Sequence, residues 1–476
     1  MDNKGKSLLK NVGILTISNF ASKILVFLLV PLYTSVLTTN EYGTYDLVVT
    51  TISLLFPILT LNIVDALMRF MLDKNYDKNQ IASNGLLFCL IGIVLGAAVL
   101  FVLHTLNLYE GIQGLEILIF LYYVFYILNQ YMIQFAKGLD NVMDMAVAGV
   151  MGTLVMIGSN IFFLLLFKSG LKGFFVANIL CQALPSTYLI IRLKLWKYIN
   201  SKINDKQLTR DMLLYSVPLI ASAVGWWVNS GSDRYVVTFF CGVAANGVLS
   251  VAYKIPTILN TFQGIFIQAW QISAIKEYGE NDTAGFYGQT FVTINLLMCV
   301  ACSWLIILTK PLAQLLYAKD FYAAWQYVPF LLIASVLNCA SGLLGPILAA
   351  KKNSKAMMWS ALIGAVANII LNIALVYIIG IQGATIATVI CSYIIYVVRK
   401  IAVGKDMTIE RYSTILLTWL LLSAQATVEI YVGKWWIEVF IMIVLLIINA
   451  PTLKKLMASM RGVMNSIKCK VKINMK

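Results

Sequence analysis

The sequence predicts an all-α integral membrane protein of about fourteen transmembrane helices, two six-helix lobes followed by two further helices. Three observations carry this reading: the chain is too apolar for water, its apolar runs have the length of a membrane span, and its basic residues alternate along the chain. Of 476 residues, 60% are hydrophobic and 12% are charged, about half the charged fraction of a soluble globule. Mean hydropathy is +0.83. A hydrocarbon core about 30 Å thick takes about 20 apolar residues per helix, and a helix satisfies its own backbone hydrogen bonds. A soluble enzyme is excluded.

Apolar runs bounded by charges, Gly or Pro lie near 11–36, 44–70, 83–104, 114–136, 142–167 and 172–193. The polar stretch RLKLWKYINSKINDKQLTR, Arg192 to Arg210, follows. Further runs lie near 212–237, 244–274, 286–309, 324–349, 356–379, 383–403, 412–431 and 435–453. Pro31, Pro57, Pro185, Pro218, Pro256, Pro329 and Pro346 fall inside them, where each frees a carbonyl and can kink its helix. The first run is about 25 residues long without a small-residue cleavage site suitably placed, so no cleavable signal peptide is expected.

The basic residues give the orientation. With the amino terminus in the cytoplasm, 28 of the 36 Lys and Arg fall in inside segments and 5 in outside segments (Lys168, Lys172, Lys310, Lys319 and Lys434). Short cytoplasmic connections collect positive charge, so the bias supports fourteen spans with both termini cytoplasmic, and the net charge of +15 needs no nucleic acid to explain it. A reporter fused after residue 202 is expected to read cytoplasm, and one near residue 316 the outside; reversal at either site would overturn the orientation.

The two halves repeat each other. Gly170, Gly173, Ala177 and Cys181 match Gly380, Gly383, Ala387 and Cys391 at a constant offset of 210, and Asn160 matches Asn372 after a two-residue gap. Gly43 and the run 47–55 match Gly247 and 251–259 at an offset of 204. Six spans per half is an even number, so the halves are expected to be parallel, and such halves form a central cavity in several transporter folds. The expected organisation is an N-terminal lobe (1–193), a cytoplasmic linker (194–210), a C-terminal lobe (211–403), and two last helices with a basic tail (404–476).

Chemistry based on histidine or thiols finds little support. His104, the one histidine, sits where the chain leaves an apolar stretch and reads as interfacial, so a histidine metal centre or a Ser/His/Asp system cannot be assembled. The eight cysteines lie mainly in apolar runs, and Cys299 and Cys302, despite their CxxC spacing, read as packing residues within 286–309.

The segments Asn19 to Lys23, Pro31-Leu-Tyr33, Glu41-Tyr-Gly43, Arg69, Ser232-Asp-Arg-Tyr235, Asn246-Gly247 and Tyr253-Lys-Ile-Pro256 resemble the bacterial polysaccharide transporters. These are the Wzx-type flippases, in the superfamily of the multidrug exporters and the lipid II flippase. The resemblance covers spans one to twelve. It implies a MATE-like fold of two six-helix lobes around a cationic cavity, in the bacterial cell membrane. It also implies movement of an undecaprenyl-pyrophosphate-linked oligosaccharide from the cytoplasmic to the outer leaflet, coupling to an H⁺ or Na⁺ gradient, and work alongside glycan polymerase machinery. No other cofactor is expected.

Lys23, Arg234 and Lys254 lie within spans, where each costs about 2.5 to 3.5 kcal/mol on insertion scales, so each is expected to face a wet cavity or a partner. With Arg69 they are the candidate pyrophosphate contacts, Arg by forked hydrogen bonds and Lys as a point charge. Snorkelling or a structural ion pair is the alternative for each. Asp233 and Asp65 are the candidate ion-coupling residues. Asp233 adjoins Arg234, but successive helical residues point about 100° apart and need not neutralise each other. Asp65 and Arg69 have the spacing of a helical salt bridge. Glu116 reads as interfacial, and Trp226-Trp227 and Trp435-Trp436 as interface anchors or sugar-stacking residues. Within spans the three cations outnumber the one acid counted, Asp233, which favours an anionic substrate. A multidrug or cation exporter of the same fold is the nearest alternative. A membrane polymerase or ligase is a further one, with the 310–323 loop, the longest outside, giving it little room.

Overall fold

Prolines, glycines and short polar side chains decide where the apolar runs stop being straight helices. The computed structural model describes residues 23, 25, 27–73, 75–106, 110–199, 205–276, 285–351, 353–404, 407–409 and 411–458, and among them all regular structure is helical. Helix α1 (Val30–Val36) carries Pro31 in its first turn, where the missing N–H costs nothing. Thr38 caps α2 (Thr39–Leu59) reciprocally: its Oγ1 accepts from Glu41 N, and Glu41 Oε2 accepts from Thr38 N at 2.8 Å. Beyond Pro57, Leu61 and Asn62 adopt φ of 52° and 49°, and the chain restarts as α3 (Ile63–Met71). The expected 44–70 span is therefore two helices joined by a sharp turn.

The next helices are α4 (Lys78–Thr105), α5 (Glu116–Gly138), α6 (Val142–Asn160), extended by a wide π-helical turn to Leu166, and α7 (Gly170–Arg192). Helix α8 (Lys206–Cys241) has 36 residues, about 54 Å, well over the apolar thickness of about 30 Å. It takes up the last part of the expected linker. Gly242, at φ 88°, turns the chain into α9 (Val243–Ala252). Tyr253 to Ile255 then break the expected 244–274 span before α10 (Pro256–Lys276), a break placed by Pro256.

Further helices are α11 (Phe286–Ile307), α12 (Thr309–Leu316), α13 (Val328–Ala350), α14 (Ser354–Ile379), α15 (Ile381–Val403), α16 (Tyr412–Tyr431), α17 (Trp435–Ile448) and α18 (Ala450–Ala458). Among the described residues, eleven helical segments are long and apolar enough to cross a membrane, and α17 with α18, bent by 65°, makes a twelfth. Two of the fourteen expected spans remain: the first, which lies largely outside the described residues, and the eighth, which is the broken α9–α10 pair.

The chain divides into two compact units. The first comprises 1–251 with 315–322, and its core lies among α3, α4, α5 and α7, where Ile63, Leu67, Ile81, Ile127, Tyr131 and Phe135 are wholly buried. Two of its buried tyrosines donate their hydroxyls to backbone: Tyr131 to Ala82 O at 2.9 Å and Tyr123 to Gly92 O at 3.0 Å. The second comprises 252–314 with 323–476. Helix α13 is its centre, and Trp270 on α10 donates to Leu343 O at 2.8 Å. Cys299 and Cys302 are free thiols, fully buried on α11.

The repeat at offset 210 has a geometric counterpart in each unit. Gly170 (φ 53°) and Gly380 (φ 62°) both adopt left-handed backbone at the start of α7 and α15. Three residues on, a Cβ on Gly173 would meet Ser169 Cβ at 2.8 Å, and one on Gly383 would meet Leu375 O at 2.2 Å. Ala177 and Ala387 follow, both fully buried. Equivalent positions thus solve the same packing problem, the entry of a helix against the end of the one before it.

Candidate functional site

In the first unit, α2, α8 and α9 meet around one carboxylate that the sequence reading overlooks, Asp46 on α2. Its Oδ2 accepts from Ser250 Oγ at 2.6 Å and from Asn246 Nδ2 at 3.5 Å, both on α9. Arg234 Nε on α8 lies 2.8 Å from the same oxygen. The guanidinium also donates from Nη1 to Ser230 O at 2.6 Å and stands 3.6 Å from Asp233 Oδ1. Two acids and one arginine therefore share a largely buried site, the side chains of Asp46 and Arg234 each being 16% exposed. The expectation that Asp233 and Arg234 need not meet is corrected, because the long guanidinium folds back along its helix and covers the angular gap.

Backbone packing fixes this cluster. A Cβ on Gly43 would sit 2.1 Å from Val243 O, and one on Gly247 would sit 1.9 Å from Thr39 O. Only glycines admit an approach this close. The two contacts mirror each other, since Thr39 and Gly43 stand to Val243 and Gly247 at the repeat offset of 204. Asn246, fully buried, donates to Gly43 O at 3.2 Å and closes the crossing. Alongside, α8 is fastened to α2 by Trp227 Nε1 donating to Thr50 O at 2.9 Å and by Tyr235 OH on Thr51 Oγ1 at 2.5 Å. Tyr235 also borders an apolar cavity of about 430 Å³ lined by Leu47, Ile52, Leu100, Tyr123 and Phe239.

The contacts just described involve none of the other sequence candidates. Lys23 is helical and exposed. Arg69, 55% exposed, sits 4.0 Å from Asp73 Oδ2. The expected Asp65–Arg69 pair is replaced: Asp65 accepts from Asn62 Nδ2 at 2.8 Å and from Gln134 Nε2 of α5 at 3.0 Å. The Gln134 carboxamide, brought in by the packing of α5, outcompetes the helical neighbour. Lys254 is half-buried at the α9–α10 break and belongs to the second unit. His104 Nδ1 lies 3.0 Å from Glu116 Oε1, joining the end of α4 to the start of α5.

Residues 8–271 match the profile of a family described as polysaccharide biosynthesis proteins, more than half of the chain. The chain belongs to that family. In fold, this polysaccharide biosynthesis protein is similar to the lipid II flippase MurJ in an inward closed conformation, at TM-score 0.69 and 15% identity over 93% of this chain and 99% of that one. It is also similar to an inward-facing multidrug resistance MATE transporter of the MOP superfamily, at TM-score 0.63 and 16% identity over 84% of this chain and 95% of the other. A MOP superfamily transporter from Pyrococcus furiosus, with a binding pocket of reverse polarity, gives TM-score 0.57 and 14% identity over 83% and 96%. No curated protein is matched by the sequence. The fold is thus the MATE-like one, shared with transporters. Among the described residues no group of three or more His, Cys, Asp and Glu could hold a metal ion.

The structure also revises the inventory of charges in this polysaccharide biosynthesis protein. The sequence reading counts one acid within the spans, yet besides Asp233 the structure encloses Asp46, Glu429 and Glu438. Arg399, assigned to a cytoplasmic segment, is 8% exposed and donates to Ser360 Oγ at 3.1 Å and Ser341 O at 3.0 Å. Charges near the ends of apolar runs read as loop residues, and only tertiary packing shows that they are covered. The excess of deep cations over acids is therefore not a property of the folded chain.

Proposed function

We propose that this multi-pass membrane protein is a flippase that carries an undecaprenyl-pyrophosphate-linked oligosaccharide from the cytoplasmic to the outer leaflet during surface polysaccharide biosynthesis. The observation that carries the reading is the family match over 8–271 in a chain with the fold of a lipid flippase. An amphipathic substrate suits the first unit, where the arginine cluster adjoins an apolar cavity. The working parts are two six-helix lobes, 1–193 and 211–403, joined by 194–210, with 404–476 outside the repeat and both termini cytoplasmic. In that orientation the Asp46–Arg234 cluster and the Gly43/Gly247 crossing lie toward the outer face. Their parting opens the outward path and frees the Arg234 guanidinium for pyrophosphate. Lys23, Arg69 and Lys254 complete the set of anion contacts, and Asp233 and Asp65 are the acids available for H⁺ or Na⁺ coupling.

The enclosed carboxylates favour a second reading, a cation exporter of the same fold, since such sites hold cations. Vesicles containing the purified protein separate the two. A flippase exposes a labelled lipid-linked glycan to an external lectin; an exporter moves a dye cation and leaves the glycan where it was.

The flippase reading also predicts that Lys23→Met and Lys254→Met lose export while the corresponding Arg variants keep part of it, because the point charge is what an anion meets. Removing a deep charge eases insertion by a few kcal/mol, so abundance should hold or rise as export falls. Complementation at matched protein levels reads this out. Two Met variants exporting like the parent would remove both lysines from the mechanism.

A further inference from the structure

A second charged cluster, made of other residues than the candidates assigned above, lies in the second unit. Glu429, near the end of α16, and Glu438, in the first turn of α17, are 3% and 1% exposed. Gln425, one turn before Glu429 on α16, places its Nε2 3.5 Å from Glu438 O, so the packing of α16 on α17 sets the two carboxyl groups in one enclosed cluster. From the other side Lys310 Nζ stands 3.5 Å from Glu429 Oε2 and donates to Glu429 O at 3.2 Å. The same ammonium lies over the Trp325 ring, 4.5 Å from its centroid. No donor among the described residues reaches Glu429 Oε1 or either carboxylate oxygen of Glu438.

The charges do not balance. Helices α11, α13, α16 and α17 pack on one another here, and Glu429 and Glu438 are the only charged residues on them. Tyr287, Tyr412, Tyr431, Cys299, Cys302 and Cys339 are the other titratable side chains on these helices, and Lys434, just before α17, lies over the Trp436 ring, 5.9 Å from its centroid. Lys310 contributes one positive charge and the start of α17 about half of one, against two negative charges if both acids ionise. Two carboxylates sharing an enclosed site cannot both stay ionised cheaply, and an unfilled acceptor there costs more than one in water. One proton eases both problems: it turns one of the three unfilled oxygens into a donor to a second and leaves one anion for Lys310.

We propose that Glu429 and Glu438 form a proton-binding site, one proton held between the two carboxyl groups with Lys310 neutralising the remaining charge. The proton comes from water as an O–H bond on one carboxyl, whose hydrogen is donated to the other. It ties α16 to α17, and its departure sets two like charges face to face at that contact. The inference does not depend on what the protein transports.

Infrared difference spectra of the purified full-length protein in lipid, neutral against alkaline pH, test it by charge arithmetic. The parent should show one protonated-carboxyl C=O band that shifts in deuterium oxide. Glu429→Gln and Glu438→Gln should each lose that band, because one acid then faces one lysine. Lys310→Met should roughly double it, since two acids without a cation both take protons; Lys310→Gln serves if the Met protein fails to accumulate. Asp46→Asn should leave it unchanged. A parent without the band, a band surviving in either Gln variant, or no rise in either Lys310 variant would overturn the site. So would loss of the band on adding Na⁺ at constant pH, which would make the ligand a metal cation.

Discussion

Gly247→Ala is expected to accumulate in the membrane and to lose most export. The added Cβ would lie 1.9 Å from Thr39 O, an impossible contact, and the obstacle is backbone with no rotamer to yield. Overpacking costs about 1 to 3 kcal/mol, which shifts the population of the closed α2–α9 crossing by roughly five- to 150-fold. Gly43→Ala, held 2.1 Å from Val243 O, should behave alike. A readout independent of export is the disulfide yield between cysteines placed at Asp46 and Ser250, which touch across the crossing at 2.6 Å. That yield should drop by about an order of magnitude in either alanine protein, if the shift sits in the middle of that range. Full export together with undiminished cross-linking would show that the crossing does not gate transport.

Arg234→Ala is the second large effect. Loss of a charge-assisted contact weakens headgroup binding by about 1.5 to 3 kcal/mol, roughly ten- to 150-fold. The same change strands Asp46 and Asp233 without their cation. Export should vanish, and Arg234→Lys should restore part of it. Asp46→Asn separates the two duties of the arginine, since it weakens the contact between α2 and α8 yet leaves the guanidinium in place. Its export should fall less than that of Arg234→Ala. Normal export by the alanine variant, measured at matched abundance, would remove Arg234 from the mechanism.

Hydropathy made the spans legible because the cost of exposing backbone to lipid adds up along the chain, so each span announces itself over twenty or so residues. Breaks within spans are local and were less legible. Pro57 and Pro256 mark both, but a proline licenses a kink without requiring the full turns seen at Leu61–Asn62 and Tyr253–Ile255. Of the cluster, Ser232 to Tyr235 and Asn246-Gly247 were visible as motifs. Asp46 was not, because its partners Arg234 and Ser250 are 188 and 204 residues away and no local pattern encodes that distance. Asp65 and Arg69 show the opposite failure. Their spacing is ideal for a pair, yet Gln134, brought in by α5, takes the carboxylate. The one available signal for the crossing was the offset of 204, which marked Gly43 and Gly247 as equivalent without revealing that equivalents touch.

That contact has the form of an isologous interface inside a single chain: patch and partner are the same surface, used once by each half. A wedge at Gly43 and a wedge at Gly247 therefore pry open one gap, each lifting the other's helix from its own carbonyl. Their energies should fall short of a sum, so the double alanine protein should be scarcely worse than either single one. A seam of this kind offers two positions at which to jam it and only one thing to jam.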